Sequence, residues 1–337
     1  MRVLITGGLG FVGLHLVGLI VRERPDWIVH LYDDESVGRP ADLSEFLDWT
    51  FGVNGRKILL ERITITPGDV RNLDRLQTST ADCDAVVHLA SRTSVQASLQ
   101  NPRESIEVSA LGTFNVLEAC RAGSVRRVVL ASSNAAAGEQ GAMERTLVAP
   151  RPVSPYGAGK SCLEALASAY WRSYGLETVC FRFANVYGPF SHRKSSVVAR
   201  WIDRVLKGIP IEIYGDGSQT RDFLYACDTA RVLLLSLEAS SEIAGRVLQI
   251  GSGIETTVSE LADILCKVSG RDIEITFLRP LPGEIHRIEC DISEARKILG
   301  LGDMTPLIEG LRETWKWFVE RGQAAEDGAR GEPRNLS

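Results

Sequence analysis

The stretch RVLITGGLGFVGLHL, residues 2–16, decides how the rest of this chain is read. An apolar, β-branched run (Arg2 to Thr6) meets a glycine turn, and an apolar-periodic segment begins at once on the far side. Gly7, Gly10 and Gly13 recur every third residue. Glycines at that spacing let a strand turn sharply, let the backbone approach a pyrophosphate, and seat the following helix against its strand. The start of that helix then offers unpaired N–H groups and the positive end of its dipole to an anion. A strand, glycine turn and helix at this position therefore predict a nucleotide-binding βαβ unit.

Further apolar runs continue the pattern. IVHLYD (28–33), AVVHLA (85–90) and RRVVLAS (126–132) read as strands, and ESIEVSALGTFNVLEACRA (104–122) as one long helix between the last two. This rhythm predicts an α/β fold with a Rossmann-type doubly wound parallel sheet. Residues 36–60 interrupt it, with a short helix expected around ADLSEFLDW (41–49). After about residue 185 the rhythm loosens. SSVVARWIDRVLKG (195–208) and TVSELADILCKVSG (257–270) look helical between short strands, which suggests a smaller mixed α/β substrate-binding lobe. The expected organisation is 1–184 with interleaved later segments, a lobe over 185–322, and a polar tail, 323–337, expected to be disordered.

Composition narrows the function classes. The 337 residues are 44% hydrophobic and 24% charged, with a net charge of −5, so nothing suggests a basic nucleic-acid footprint. No apolar run reaches membrane-spanning length, and the first residues do not read as a signal peptide. The seven cysteines are odd in number, scattered and without CxxC spacing. That favours reduced thiols in a cytoplasmic protein and predicts no metal site.

Candidate binding groups follow the strands. Asp33 and Asp34 stand at the end of the second strand, twenty residues beyond Gly13. A carboxylate there accepts hydrogen bonds from an adenosine ribose and repels a 2′-phosphate, favouring NAD over NADP. Asp33 is preferred because it directly follows the apolar run. Asp69 and Val70, in GDVRN, follow a third strand, where an acid can meet an adenine amino group. In SPYGAGKSCLEALASAYW, Tyr156 and Lys160 lie four residues apart and share one helix face. That spacing alone is common by chance.

Taken together the motifs TGGLGFVG, HLAS (88–91), ASSN (131–134), YGAGK (156–160), FRFANVYGP (181–189), GDGSQTRDFLY (215–225) and PGEIHR (282–287) change the picture. In that order, from Arg2 to Glu320, the chain resembles an extended short-chain dehydrogenase/reductase of the nucleotide-sugar epimerase/dehydratase group. The resemblance implies NAD as cofactor, a nucleotide sugar (UDP-linked above all) as substrate, and a homodimer paired through helices near 103–121 and 156–174. It implies that Tyr156 is the acid–base at the sugar 4-hydroxyl, with Lys160 depressing its pKa and holding the nicotinamide ribose. Ser133, counted back from Gly138, would bind the same hydroxyl. The cofactor set it implies is Gly7, Gly10, Phe11, Val12, Gly13, Asp33, Asp69, Val70, Leu89, Ala90, Ser91, Tyr156 and Lys160. For substrate it implies Thr93, Ser133, Asn134, Asn185, Arg193, Val198, Arg221, Arg287 and Asp291. Guanidinium groups suit a diphosphate because their planar fork bonds it bidentately.

Departures from the family pattern sharpen the expectation. Where family 4,6-dehydratases carry an Asp–Glu pair after the strand-end Ser or Thr, this chain has Asn134 and Ala135. Neither does proton chemistry, so 4-epimerisation is the expected outcome. Ser109 replaces a common Asn, Ala137 a common Tyr, and Leu281 a common Arg, for which Arg279 is a candidate substitute. The cationic loop His192, Arg193, Lys194 could pair with a sugar carboxylate, as in glucuronate, with phosphate, or with solvent.

Overall fold

A computed structural model describes residues 1–52, 55–138, 150–280, 286–287 and 290–330, with backbone alone at residues 56, 59–60 and 324–330. The strands are β1 (Arg2–Thr6), β2 (Ile28–Asp33), β3 (Ile63–Pro67), β4 (Ala85–His88), β5 (Arg127–Ser133), β6 (Glu177–Phe183), β7 (Asn185–Tyr187), β8 (Ile211–Tyr214), β9 (Thr220–Tyr225), β10 (Arg246–Ile250), β11 (Glu255–Thr257) and β12 (Ile275–Leu278). The first helices are α1 (Phe11–Glu23), α2 (Pro40–Phe51), α3 (Gly55–Arg62), α4 (Leu73–Thr80), α5 (Val95–Gln100), α6 (Pro102–Ile106) and α7 (Gly112–Ala122). They are followed by α8 (Pro155–Tyr174), α9 (Val197–Leu206), α10 (Ala226–Glu238), α11 (Val258–Ser269), α12 (Ser293–Leu299) and α13 (Leu307–Arg330).

Seven strands form one sheet in the order β10-β6-β5-β4-β1-β2-β3, parallel throughout. The order reverses between β1 and β4, the switch point at whose carboxyl ends doubly wound sheets bind ligands. Because helices cover both faces, the central strands are buried on both sides: Val3, Leu4 and Ile5 are fully enclosed, as are Val128, Val129 and Leu130. Each such side chain stabilises the fold by about 2 kcal/mol. β10 joins this sheet from the second half of the chain. Two smaller sheets, β11-β9-β7 and β12-β8, make up the mixed remainder, so the α/β architecture matches the expectation.

Two details differ. The long helix expected over 104–122 is interrupted: α6 passes into a π-helical turn, Glu107–Leu111, before α7 resumes. Such turns concentrate at functional sites. Here the turn brings Ser109 against Gly159, where an added Cβ would lie 2.7 Å from the Ser109 Cβ. At the other end, the tail expected to be disordered from residue 323 is helical as far as Arg330 within α13; residues 331–337 lie outside the described residues. No helix among the described residues is long and apolar enough to cross a membrane, and none of the seven cysteines, all of them described, forms a disulfide.

Candidate active site

The glycine turn is built for close approach. Gly7 takes φ +69°, and a Cβ there would stand 2.7 Å from the Ala90 backbone nitrogen, so only glycine fits. A Cβ on Gly13 would lie 2.4 Å from the Gly8 carbonyl, so α1 can sit directly on the turn. Gly10 caps α1 without any side-chain hydrogen bond, which leaves the N–H groups around Phe11, Val12 and Gly13 for an anion. Asp33 ends β2, 7% exposed. Its carboxylate accepts from the Leu9 N–H (2.9 Å) and the Glu35 N–H (2.8 Å). The acid therefore also ties down the glycine turn, a role its position in the sequence did not reveal. Burial raises its pKa, and the amide bonds oppose the rise. Asp34, the alternative, instead pairs with Arg92 at 3.1 Å.

Around this cradle, Asp69 is held by Arg71 and is pushed below the usual carboxylate range. The Val70 carbonyl accepts from the Asn115 amide at 3.1 Å. Leu89 and Ala90 continue from β4, the Leu89 N–H donating to Thr6. The Ser91 hydroxyl lies 3.4 Å from that of Ser109 on the π-helical turn, and Thr93 is exposed just before α5. These groups fit a dinucleotide laid across the switch point.

The Tyr–Lys question of the sequence has a geometric answer. Ser154 caps α8, its hydroxyl accepting from Gly157 N–H at 3.1 Å, with Pro155 in the first turn. Tyr156 and Lys160 both lie on the buried face of α8, and Ser133 hydrogen-bonds to the Tyr156 phenol. The Lys160 ammonium donates to the Ala131 carbonyl at 2.6 Å and lies 5.9 Å from the Tyr156 ring centroid. Burial raises the Tyr156 pKa against the bond from Ser133, and lowers that of Lys160 to about 8 against attraction from Cys180 and Glu164. The depression of the phenol implied by the resemblance does not follow from the protein groups alone, because desolvation outweighs them. Ser132, next to Ser133 on β5, donates its hydroxyl to Glu164. That carboxylate is held by a bidentate bond from Arg182 (2.8 and 2.7 Å), which pins α8 to β6.

Residues expected to read the substrate are spread over the smaller sheets. Asn134 follows β5 and donates its amide to the Cys290 thiol at 3.0 Å. Asn185 opens β7 and is exposed. Arg221 lies on β9, one guanidinium nitrogen donating to the Thr220 carbonyl. Arg287 makes a bidentate pair with Glu255 (2.7 and 2.9 Å). Asp291 accepts from the Ser293 N–H at 3.0 Å. Val198, 2% exposed, belongs to the main core, so only its backbone in the first turn of α9 is available to a ligand. Arg193 is engaged elsewhere: it pairs with Asp42 on α2 (2.8 Å) and donates to the Val37 carbonyl. Lys194 donates to the Val186 carbonyl at 3.0 Å and lies 4.9 Å from the Phe11 ring centroid. Leu281, Ile288 and the PGEI portion of PGEIHR lie outside the described residues.

With this geometry in view, the likeness to known proteins is informative. Residues 3–251 match the NAD dependent epimerase/dehydratase family. The chain is 31% identical, over 96% of its length and 100% of the other, to UDP-glucose 4-epimerase of Mycolicibacterium smegmatis. It is 30% identical, over 95% and 93%, to dTDP-glucose 4,6-dehydratase of Neisseria meningitidis. Its structure superposes with a TM-score of 0.84 on UDP-glucuronic acid 4-epimerase from Bacillus cereus in complex with UDP-glucuronic acid and NAD. That pair is 29% identical and covers 95% of this chain and 100% of the other. From the glycine cradle through the Ser–Tyr–Lys constellation to these matches, the chain belongs to the NAD-dependent epimerase/dehydratase family of enzymes.

Proposed function

We propose that this enzyme interconverts the C4 epimers of a UDP-hexose through a 4-keto sugar. The observation that carries the reading is Asn134 with Ala135 immediately after Ser133, since an amide and a methyl group cannot move the protons a dehydration requires. Bound NAD supplies a hydride acceptor at sugar C4, a positive ring charge beside the phenol, and return of the hydride to either face. Tyr156 takes the 4-hydroxyl proton and gives it back, Ser133 orients that hydroxyl and the phenol, and Lys160 holds the ribose and adds positive charge. Asn185, Arg221, Arg287 and Asp291 would hold the nucleotide diphosphate end, and Asp33 the adenosine ribose.

Between the sugars weighed, the neutral pair UDP-glucose and UDP-galactose is favoured over UDP-glucuronate and UDP-galacturonate. Arg193 is spent on Asp42 and Val37, and Lys194 on Val186, so the cationic loop is not presented to a sugar carboxylate. The protein is proposed to act as a homodimer. Incubation with UDP-glucose and with UDP-glucuronate, followed by product mass and sugar analysis, tests the reading. Unchanged mass with galactose formed supports it; loss of one water, or of carbon dioxide, overturns it.

A further inference from the structure

The side chain of Asn134 is half accounted for. Its Nδ2 donates to the Cys290 sulfur at 3.0 Å, while its Oδ1, buried from solvent, has no hydrogen-bond partner among the described residues. The other side of the thiol explains why the amide stands this way round. Cys290, 3% exposed, also hydrogen-bonds to the carboxylate of Asp222. That carboxylate is fully buried on β9 and accepts from the Ser252 N–H (2.7 Å), the Ser252 hydroxyl (2.9 Å) and the Gly253 N–H (2.9 Å). Burial raises the Asp222 pKa and the bond from Cys290 opposes the rise, as a donor to a carboxylate does, so the thiol spends its hydrogen on Asp222. Its sulfur is then left as an acceptor, and only the NH₂ of Asn134 satisfies it. The array needs a residue without a side chain at 251, where a Cβ would meet Asp222 Oδ2 at 2.4 Å and Cys290 Cβ at 2.8 Å. It stands at the carboxyl ends of β5 and β10, one residue from Ser133.

We infer that the Asp222–Cys290 pair is a positioning device that fixes the Asn134 amide, so that its Oδ1 accepts a hydrogen bond from the 6-hydroxyl of the hexose. The inference rests on the nucleotide-sugar reading above and adds a specificity rule: the partner at this point must be a donor. A buried acceptor left unmet costs free energy, so a substrate offering a hydroxyl there is retained over one offering a carboxylate. Cys290 acts only through Asn134 and is not a catalytic residue.

Asn134→Ala, Cys290→Ala, the double variant and Cys290→Ser, each loaded with NAD, test the device. Binding of UDP-glucose and of UDP alone is measured by calorimetry, beside kcat and KM for epimerisation and the thermal midpoint. Asn134→Ala should weaken UDP-glucose about tenfold and leave UDP unchanged. Cys290→Ala should produce a similar loss, with the double variant no worse than either single one. Cys290→Ser, which keeps a donor and an acceptor, should restore most of the loss. Equal weakening of UDP and UDP-glucose, additive losses, or a Cys290→Ala loss that tracks the thermal midpoint would overturn the inference. If the parent enzyme binds UDP-glucose without epimerising it, the functional reading fails while the binding comparison still decides the device. If it binds no UDP-glucose at all, both fall.

Discussion

Tyr156 illustrates how one side chain carries conflicting demands. Burial raises the pKa of the phenol, yet the proposed chemistry needs its proton to leave near neutrality. Replacing it by Phe removes the proton acceptor while the ring still fills its place. Turnover should fall by at least about three orders of magnitude, with NAD content unchanged; near-parental activity would refute the role. His88 makes a different residue-scale case. It lies in β4 between Thr6 (2.7 Å) and Thr113 (3.1 Å), and burial pushes it to about 3 from 6.5. His15 is likewise held at about 4. Below pH 6.5 an unfolded chain protonates both imidazoles and the native state does not. Their contribution is therefore fully present above that pH and is lost as pH falls towards 4. Between pH 7 and 5 each should cost on the order of 1–2 kcal/mol. A thermal midpoint flat over that range would contradict this, and His88→Gln should make the dependence shallower.

At the scale of elements, α8 is fixed by a pair rather than by apolar packing alone. Glu164 and Arg182 are both buried and bidentate, so Glu164→Gln strands a guanidinium in the interior. The expected loss is about 3–5 kcal/mol, read from denaturant unfolding; Glu164→Gln with Arg182→Met should be less destabilised than the single variant. Equal losses would show that the pair does not couple. Elements also mark where sequence reading succeeds. β1, the glycine turn and α1 were legible because strand composition, turn chemistry and helical period all act within fifteen adjacent residues. The break in the helix at Glu107–Leu111 was not, because Glu107, Ala110 and Leu111 are good helix formers and the π-helical turn packs against Gly159 on another helix. Likewise the Arg193–Asp42 pair spans 151 positions and the Asn134–Cys290 contact 156. No local pattern announces such partners. The motif order pointed to Tyr156 and Lys160, but the bonds that orient them belong to the fold.

For the whole molecule, the unexplained feature is apolar surface on the helices around α8. Leu99 on α5, Ile106 on α6, Leu111 on the π-helical turn, Phe114 on α7 and Tyr174 on α8 are exposed, between 37% and 59%. Phe114, Tyr170 and Tyr174 form a linked ring cluster, at 6.5 and 5.2 Å between successive centroids. The helices α5, α6 and α7 all pack on α8, so the elements that carry these side chains adjoin one another. Exposed apolar side chains gathered on adjoining helices mark an interaction face, and a symmetric dimer meets such a face with a second copy of itself. Such an interface would bury roughly 800 Å² per protomer. Light scattering at micromolar concentration should give twice the mass of the chain, and Phe114→Glu should give the monomer, because a carboxylate among these rings would be desolvated without a partner if the second copy covered it. The site offers an independent check. α8 carries Tyr156 and Lys160 at its start, and the π-helical turn touches both Gly159 and Ser91. Separating the protomers should therefore lower turnover more than it weakens UDP binding. A monomeric parent protein would refute the dimer, and a Phe114→Glu variant that stays dimeric would place the contact on another surface.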